Sequence, residues 1–313
     1  FDQAKYNHEF AKKYLNQIVF NDSNKFLHAL YSIVNGQESI FKYISNSVIR
    51  NYDSYEDDNA LERMRKIIIS ERTQYNSKKG KISVIVQARM GSSRLPGKVM
   101  KEVAGIPILE MLIRRLKKCK YTDDIIIATT DSIKDDIIVE TAVKNDVKIF
   151  KGSEQDVLAR YYFAAKENGS DIIVRITADC PFSDPTIIDN AILVYLNEEC
   201  DYVSNTLIRT YPKGLDVEIF NFKALEMAYA YAKSPYQREH VTPYIYEFCS
   251  TRQFFNIKND SDLRITVDTN EDYCVVKQIF EKLNDGENIR YQDVISYLRK
   301  EKEDITKGIK INK

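Results

Sequence analysis

Lys81-Ile-Ser-Val-Ile-Val-Gln-Ala-Arg-Met-Gly-Ser-Ser-Arg-Leu-Pro-Gly-Lys98 joins a short β-branched run to a loop punctuated by Gly and Pro. The run from Ile82 to Ala88 has the length and make-up of a buried strand. A loop leaving the carboxyl end of a strand in an open parallel sheet is where such folds bind ligands. Gly91, Ser92 and Ser93 allow tight turns that aim backbone N–H groups inward, making an anion-binding concavity. Arg89, Arg94 and Lys98 add three cations within ten residues. The arginines offer fork-shaped donors for phosphate oxygens, and the lysine a compact point charge. Pro96-Gly97 stiffens the turn that delivers Lys98. A triphosphate fits this set; a solvated basic loop is the plainer alternative. A Walker A loop is excluded, because Gly97-Lys98 is not followed by Ser or Thr, and no G-x-G-x-x-G fingerprint is present.

Outward from this stretch, strand and helix patterns alternate. DIIIATT, VKIF and DIIVRIT read as strands, with helices in IPILEMLIRRLKKC, DDIIVETAVKND, DVLARYYFAAKEN and PTIIDNAILVYLNE. That rhythm predicts βαβ units and a mainly parallel sheet. A strand pair follows around DYVSN and GLDVEIF. After it come a helix in FKALEMAYAYA, a Tyr-rich helix around REHVTPYIYEF, a strand in ITVD and closing helices. Residues 1–78 differ: Phe10, Tyr14, Ile18, Phe26, Leu30, Ile33 and Phe41 recur at helical spacing, which predicts an all-helical segment. It reads either as a packing or oligomerisation appendage or as the end of a preceding domain. Residues 79–300 form the α/β domain, and 301–313 a charged, loose tail.

Composition bounds the partners. Of 313 residues, 43% are hydrophobic and 29% charged, with zero formal net charge, so a proper core is expected and no basic footprint for nucleic acid exists. Cys119, Cys180, Cys200, Cys249 and Cys274 are odd in number and match no zinc spacing, which points to reduced thiols in the cytoplasm. No membrane span and no signal peptide is expected.

Two further motifs place carboxylates after apolar strands: Thr177-Ala-Asp179-Cys-Pro181 and Arg264-Ile-Thr-Val-Asp268-Thr-Asn-Glu-Asp272. Asp179 suits either a turn or a hard cation such as Mg²⁺. Thr269 to Asp272 read as a helix cap, while Asp268 precedes the cap at a strand end. Asp131 and Asp156 fit helix capping or ligand contact equally. His240 is the one histidine outside residues 1–78 and fits a structural or an acceptor-side role; the tyrosines read as packing.

QARMGSSRLPGKVM, ITADCP and ITVDTNEDY, in that order, resemble the cytidylyltransferase family of the spore coat polysaccharide biosynthesis protein F type, related to the CMP-sialate and CMP-Kdo synthetases. The resemblance covers roughly residues 81–283. It implies a Rossmann-like, mostly parallel sheet of the nucleotide-diphospho-sugar transferase type, and CTP as substrate. By that resemblance Gln87, Ala88, Gly91, Ser92, Ser93, Asp131, Gln155 and Asp156 line the nucleotide, with Arg160 in the same segment. Arg89, Arg94 and Lys98 hold the triphosphate, and Asp179 and Asp268 hold Mg²⁺. Asp216, Glu218, Arg238 and His240 line the acceptor side, and related synthetases are commonly dimers.

The expected reaction is transfer of CMP from CTP to a small acidic acceptor with release of pyrophosphate. The acceptor is an acidic sugar or a phosphate- or phosphonate-bearing molecule, and the pathway surface polysaccharide or glycoconjugate synthesis. Two rivals stand beside it. A nucleotide-sugar-dependent glycosyltransferase would want a D-x-D-like motif where this chain has ADCP. A non-catalytic nucleotide-binding assembly protein would not need Lys98, Asp179 and Asp268 together.

Overall fold

The computed structural model describes residues 80–306, apart from Glu199 and Ile257. The predicted helical segment 1–78, with His8 and His28, lies outside the described residues. Strand β1 (Ile82–Gln87) is followed by the short antiparallel pair β2 (Glu102–Val103) and β3 (Ile106–Pro107), then helix α1 (Ile108–Leu116). Next come β4 (Asp124–Thr130), α2 (Asp136–Lys144), β5 (Lys148–Gly152), α3 (Val157–Asn168), β6 (Ile172–Thr177) and α4 (Pro185–Asn197). The second half runs β7 (Tyr202–Ser204), β8 (Glu218–Asn221), α5 (Phe222–Tyr231), α6 (Pro235–His240), α7 (Pro243–Phe248), β9 (Thr251–Gln253), α8 (Asn270–Leu283) and α9 (Tyr291–Thr306).

The strands form one sheet in the order β5-β4-β1-β6-β8-β7-β9. It is mostly parallel, as the sequence predicts; β8 alone runs against its neighbours β6 and β7. Strand β1 is buried along nearly its whole length because both faces of the sheet are covered. Ile82, Val84 and Val86 point into one core with Leu109 and Leu112 of α1, Ile188 and Ile192 of α4, and Phe280 of α8. Ile85, Ile126 and Ile173 point into the other, against Leu158 and Tyr161 of α3 and Leu225 of α5. Helix starts follow the local chemistry. Asp156 and Asp184 accept first-turn amides of α3 and α4, and Thr269 with Asp272 forms a capping box on α8.

Three expectations are corrected. ITVD is not a strand of the sheet: Ile265 N–H donates to Lys213 O at 2.8 Å and Val267 N–H to Asp179 O at 2.8 Å, so the segment is pinned between two loops. The helix anticipated from Ile106 begins only at Ile108, because Ile106–Pro107 pairs with β2 and Pro107 has no N–H to give. The loose tail predicted from residue 301 is helical as far as Thr306. No helix among the described residues is long and apolar enough to cross a membrane.

The 264–268 segment packs so closely on the loop before β8 that one residue there has to be glycine. Gly214 has φ +113°, and a Cβ on it would sit 2.7 Å from Thr266 N. Gly214→Ala is therefore expected to cost on the order of 2 kcal/mol, from backbone strain and the clash together. Urea denaturation measures it, and an unchanged midpoint would show that the segment does not lean on this loop.

Candidate active site

The carboxyl ends of the parallel strands, at Gln87, Thr130, Gly152 and Thr177, open onto the loops that carry the residues singled out for the nucleotide, together with Asp179; Asp268 and the acceptor-side residues come from elsewhere. The loop after β1 is tied down from beneath. Met90 N–H donates to Asp135 Oδ1 at 2.8 Å, and the other oxygen of the buried Asp135 takes Thr130 Oγ1 at 2.5 Å. Within the loop, Ser92 N–H and Gly97 N–H both donate to Met90 O, at 2.9 and 3.0 Å, and Leu95 N–H to Ser92 Oγ at 3.3 Å. The Ser92 amide is thus spent on the loop and does not point to a ligand. Gly97 has φ 68°, which starts the short 3₁₀ turn Lys98–Met100 and turns Lys98 inward.

Lys98 Nζ lies 2.7 Å from Asp179 Oδ2 and 2.9 Å from Asp268 Oδ1, and also donates to Val267 O at 2.8 Å. Carboxylates 89 residues apart in sequence are thus held on one ammonium group, whose side chain is 13% exposed. Burial works against the charge on Lys98, but attraction to Asp179 and Asp268 outweighs it and raises the pKa. Burial likewise opposes ionisation of Asp268, and hydrogen bonds from Lys98 and Arg264 overcome it and hold its pKa low. Arg94 reaches the same carboxylate at 3.1 Å from the solvent side. On the far side, Arg264 donates to Asp268 Oδ2 at 2.7 Å and grips Asp272 with two bonds of 2.8 Å.

The sequence assigns Asp179 and Asp268 to a metal. Among the described residues no cluster of three or more His, Cys, Asp or Glu could hold one. A divalent ion at this pair would have two protein carboxylates at most, and would take its other ligands from phosphate and water. Mg²⁺ is usually held in that manner, so the pair fits it. The ammonium of Lys98 stands between the two carboxylates in this structure, as a +1 charge.

The remaining assignments divide. Arg89 is loosely paired with Glu154 at 3.6 Å, and Gln155 and Asp131 are exposed at the same rim. Ser132, and not Asp131, caps the turn that follows β4. Asp156 caps α3 through Ala159 N–H at 2.9 Å, and its second oxygen takes Arg238 Nε at 3.0 Å. Arg238 also donates to Tyr229 O at 2.8 Å, so the two serve first as a clamp between α3 and α6. His240 is exposed, with its ring 4.5 Å from that of Tyr236. Asp216 is gripped by Arg209 at 2.6 and 2.9 Å. Glu218 is buried, bonded to Arg175, to Tyr202 Oη at 2.6 Å and to Thr242 Oγ1 at 2.6 Å; Arg175 also reaches Gln87 Oε1 at 3.2 Å. Val241 adopts φ 70°, a strained value for a β-branched residue, next to the threonine that contacts Glu218.

Sequence reasoning missed Asp135, Arg175, Arg209 and the role of Arg264. Arg264 stands inside the third motif, and its spacing of four to Asp268 was the available signal. Asp135 looked like one more acid at a helix start.

The sequence pattern of the cytidylyltransferase family matches residues 83–311. An uncharacterized protein of Methanocaldococcus jannaschii is 42% identical over 225 residues, covering 70% of this chain and 91% of that one. The spore coat polysaccharide biosynthesis protein SpsF of Bacillus subtilis is 31% identical over 232 residues, covering 70% and 94%. Among solved structures, a cytidylyltransferase from Leptospira borgpetersenii superposes with a TM-score of 0.69 at 36% identity, covering 72% of this chain and 96% of its own. A CMP-2-keto-3-deoxy-manno-octonic acid synthetase complexed with CTP gives 0.50 at 17% identity, covering 64% and 99%, a likeness of fold.

The Arg264 clamp makes a pH prediction. Its hydrogen bonds hold the Asp272 carboxyl at about 2, below an ordinary aspartate value of about 3.9. A depressed carboxyl stabilises the fold above its unfolded pKa and loses that contribution as pH falls through the folded one. Asp272→Asn is therefore expected to cost on the order of 1 kcal/mol at neutral pH, allowing for solvent screening. The gap from the parent should close between about pH 4 and about pH 2, followed by thermal unfolding across that range. A gap that stays constant would disprove the clamp.

Proposed function

The chain belongs to the cytidylyltransferase family, and from that premise we propose that it transfers CMP from CTP to an acidic sugar, or to another small carboxylate-, phosphate- or phosphonate-bearing acceptor, releasing pyrophosphate. The observation that carries the reading is the shared contact of Lys98 with Asp179 and Asp268 at the carboxyl ends of the parallel strands. Lys98 bridges the two carboxylates, and Arg94 and Arg264 supply the further positive charge on Asp268, so an incoming Mg²⁺–triphosphate could divide the set. The cations would then serve the phosphate oxygens and the carboxylates the metal. Asp179 and Asp268 would hold the ion, which supplies charge neutralisation at the phosphates.

Before ligand arrives, attraction to Asp179 and Asp268 raises the Lys98 pKa, so Lys98 meets the triphosphate as a cation. Arg94, 64% exposed at its side chain, and Arg89 are free to move onto the outer phosphates and take up charge on the departing pyrophosphate. The rigid loop, held through Met90 and Asp135, fixes where the α-phosphorus lies. Catalysis then rests on positioning and electrostatics. The acceptor would enter beside the Asp179 turn, where Arg209 and Asp216 form a doubly bonded pair. Glu218 is buried behind Arg175 and shapes that wall from within. The likeness to a protein of spore coat polysaccharide biosynthesis supports a sugar acceptor bound for a surface polysaccharide.

The test is pyrophosphate release with Mg²⁺ and each of the four nucleoside triphosphates against acidic sugars and phosphorylated acceptors. Release with CTP and one acceptor class is expected. Lys98→Ala and Asp268→Asn should each lower it by about a hundredfold or more, the usual loss for a key transition-state contact. Near-parental turnover in both variants, or transfer from a nucleotide-sugar in its place, would overturn the reading.

A further inference from the structure

Arg160 is 2% exposed and lies one turn into α3, beyond the Asp156 cap. Its Nη1 donates to Ala128 O at 3.3 Å, and Ala88 N–H, the first amide after β1, donates to that same carbonyl at 3.2 Å. The stem of Arg160 passes over Gly152, where a Cβ would meet its Cγ at 3.2 Å. Nε is buried without a hydrogen-bond partner. The nearest acids are engaged elsewhere: Asp135 with Met90 N–H and Thr130, Glu154 with Arg89. Among the described residues no carboxylate forms an ion pair with Arg160.

Arg175 and Arg115 each have a carboxylate within ion-pair reach, which Arg160 lacks, although Nε of Arg175 is likewise buried without a hydrogen-bond partner. Arg175 has Glu218. Arg115 donates to the carbonyls of Ser183, Phe182, Glu287 and Ile289, with Asp184 at 3.8 Å. Burial pushes the pKa of Arg160 down, as it does that of Arg115, whereas Glu218 carries that of Arg175 up despite burial. An unmatched buried charge is costly, and an apolar side chain of similar volume would fill the space over Gly152 without that cost.

We propose that Arg160 is a positioning residue for the nucleotide, its charge matched only when the polyphosphate occupies the loop that begins at Ala88. The inference rests on the nucleotide reading above. Arg160 acts from beneath the loop, through the Ala128 carbonyl it shares with Ala88 and through the field of an unpaired guanidinium. The interaction energy in that field scales with ligand charge, so CTP should feel its loss more than CMP does.

The test measures CTP and CMP binding by calorimetry, and thermal unfolding of the free protein, for the full chain and for R160M, R160Q and R160K. Two neutral variants are used so that one remains if the other fails to fold. R160M and R160Q are expected to bind CTP about tenfold more weakly and CMP with a smaller loss, R160K to recover most of the CTP affinity, and the free neutral variants to melt no lower than the parent. A folded neutral variant that binds CTP within about twofold of the parent overturns the inference alone. A parent chain that does not bind CTP overturns the nucleotide reading, and this inference with it.

Discussion

The ammonium of Lys98 lying between Asp179 and Asp268 is the contact on which the rest of the site depends. Each partner comes from a different part of the chain: the turn after the β1 loop, the turn after β6, and the segment before α8. Two carboxylates brought this close would repel one another and lose water to burial, and a shared cation removes both difficulties. The same arrangement explains how the empty site can be stable, and under the proposed function how it could accept a polyanion. Its internal cations and anions neutralise each other until ligand charges of both signs replace them.

Around that contact the supports are graded in stiffness. Asp135 and Met90 hold the loop from below, and Arg264 with Asp272 holds the backbone at Asp268, so the inner shell is fixed by buried or doubly bonded groups. Arg89 and Arg94 lie outside it, exposed and singly paired. Exposed ion pairs of this kind contribute little to stability, which leaves these arginines available to a ligand at small cost. Around β8, Glu218 is locked into a buried network, and Arg209 holds Asp216 through two bonds.

The sheet makes this gathering possible. Parallel strands β5, β4, β1 and β6 deliver their following loops to one edge, and apolar faces on both sides of β1 hold them in register. The segment 264–268 joins that edge by bonding to loops instead of strands. Only a glycine at position 214 leaves room for so close an approach.

Much of this was legible in the residues alone. The β-branched runs and the alternation of periods two and 3.6 are local signals, and they predict the strands, the helices and the mostly parallel sheet. The Gly, Pro and cation content of 88–98 marks the loop, and Asp179 and Asp268 stand out as acids after apolar runs. Pairings between distant side chains were not legible, because spacing in sequence carries no information about which charges meet. Asp156 and Arg238, read as ligands on two sides of the site, meet each other; Arg175, an unremarked strand residue, joins Gln87 to Glu218. The failure of ITVD to enter the sheet has the same cause, since its hydrogen-bond partners are loops 52 and 88 residues upstream. Local periodicity thus determined the elements and, with the Gly, Pro and cation content, the position of the basic loop, while burial and long-range charge matching, which exist only once the chain has folded, decided which of its ionised groups are locked into the fold and which stay singly paired at the surface.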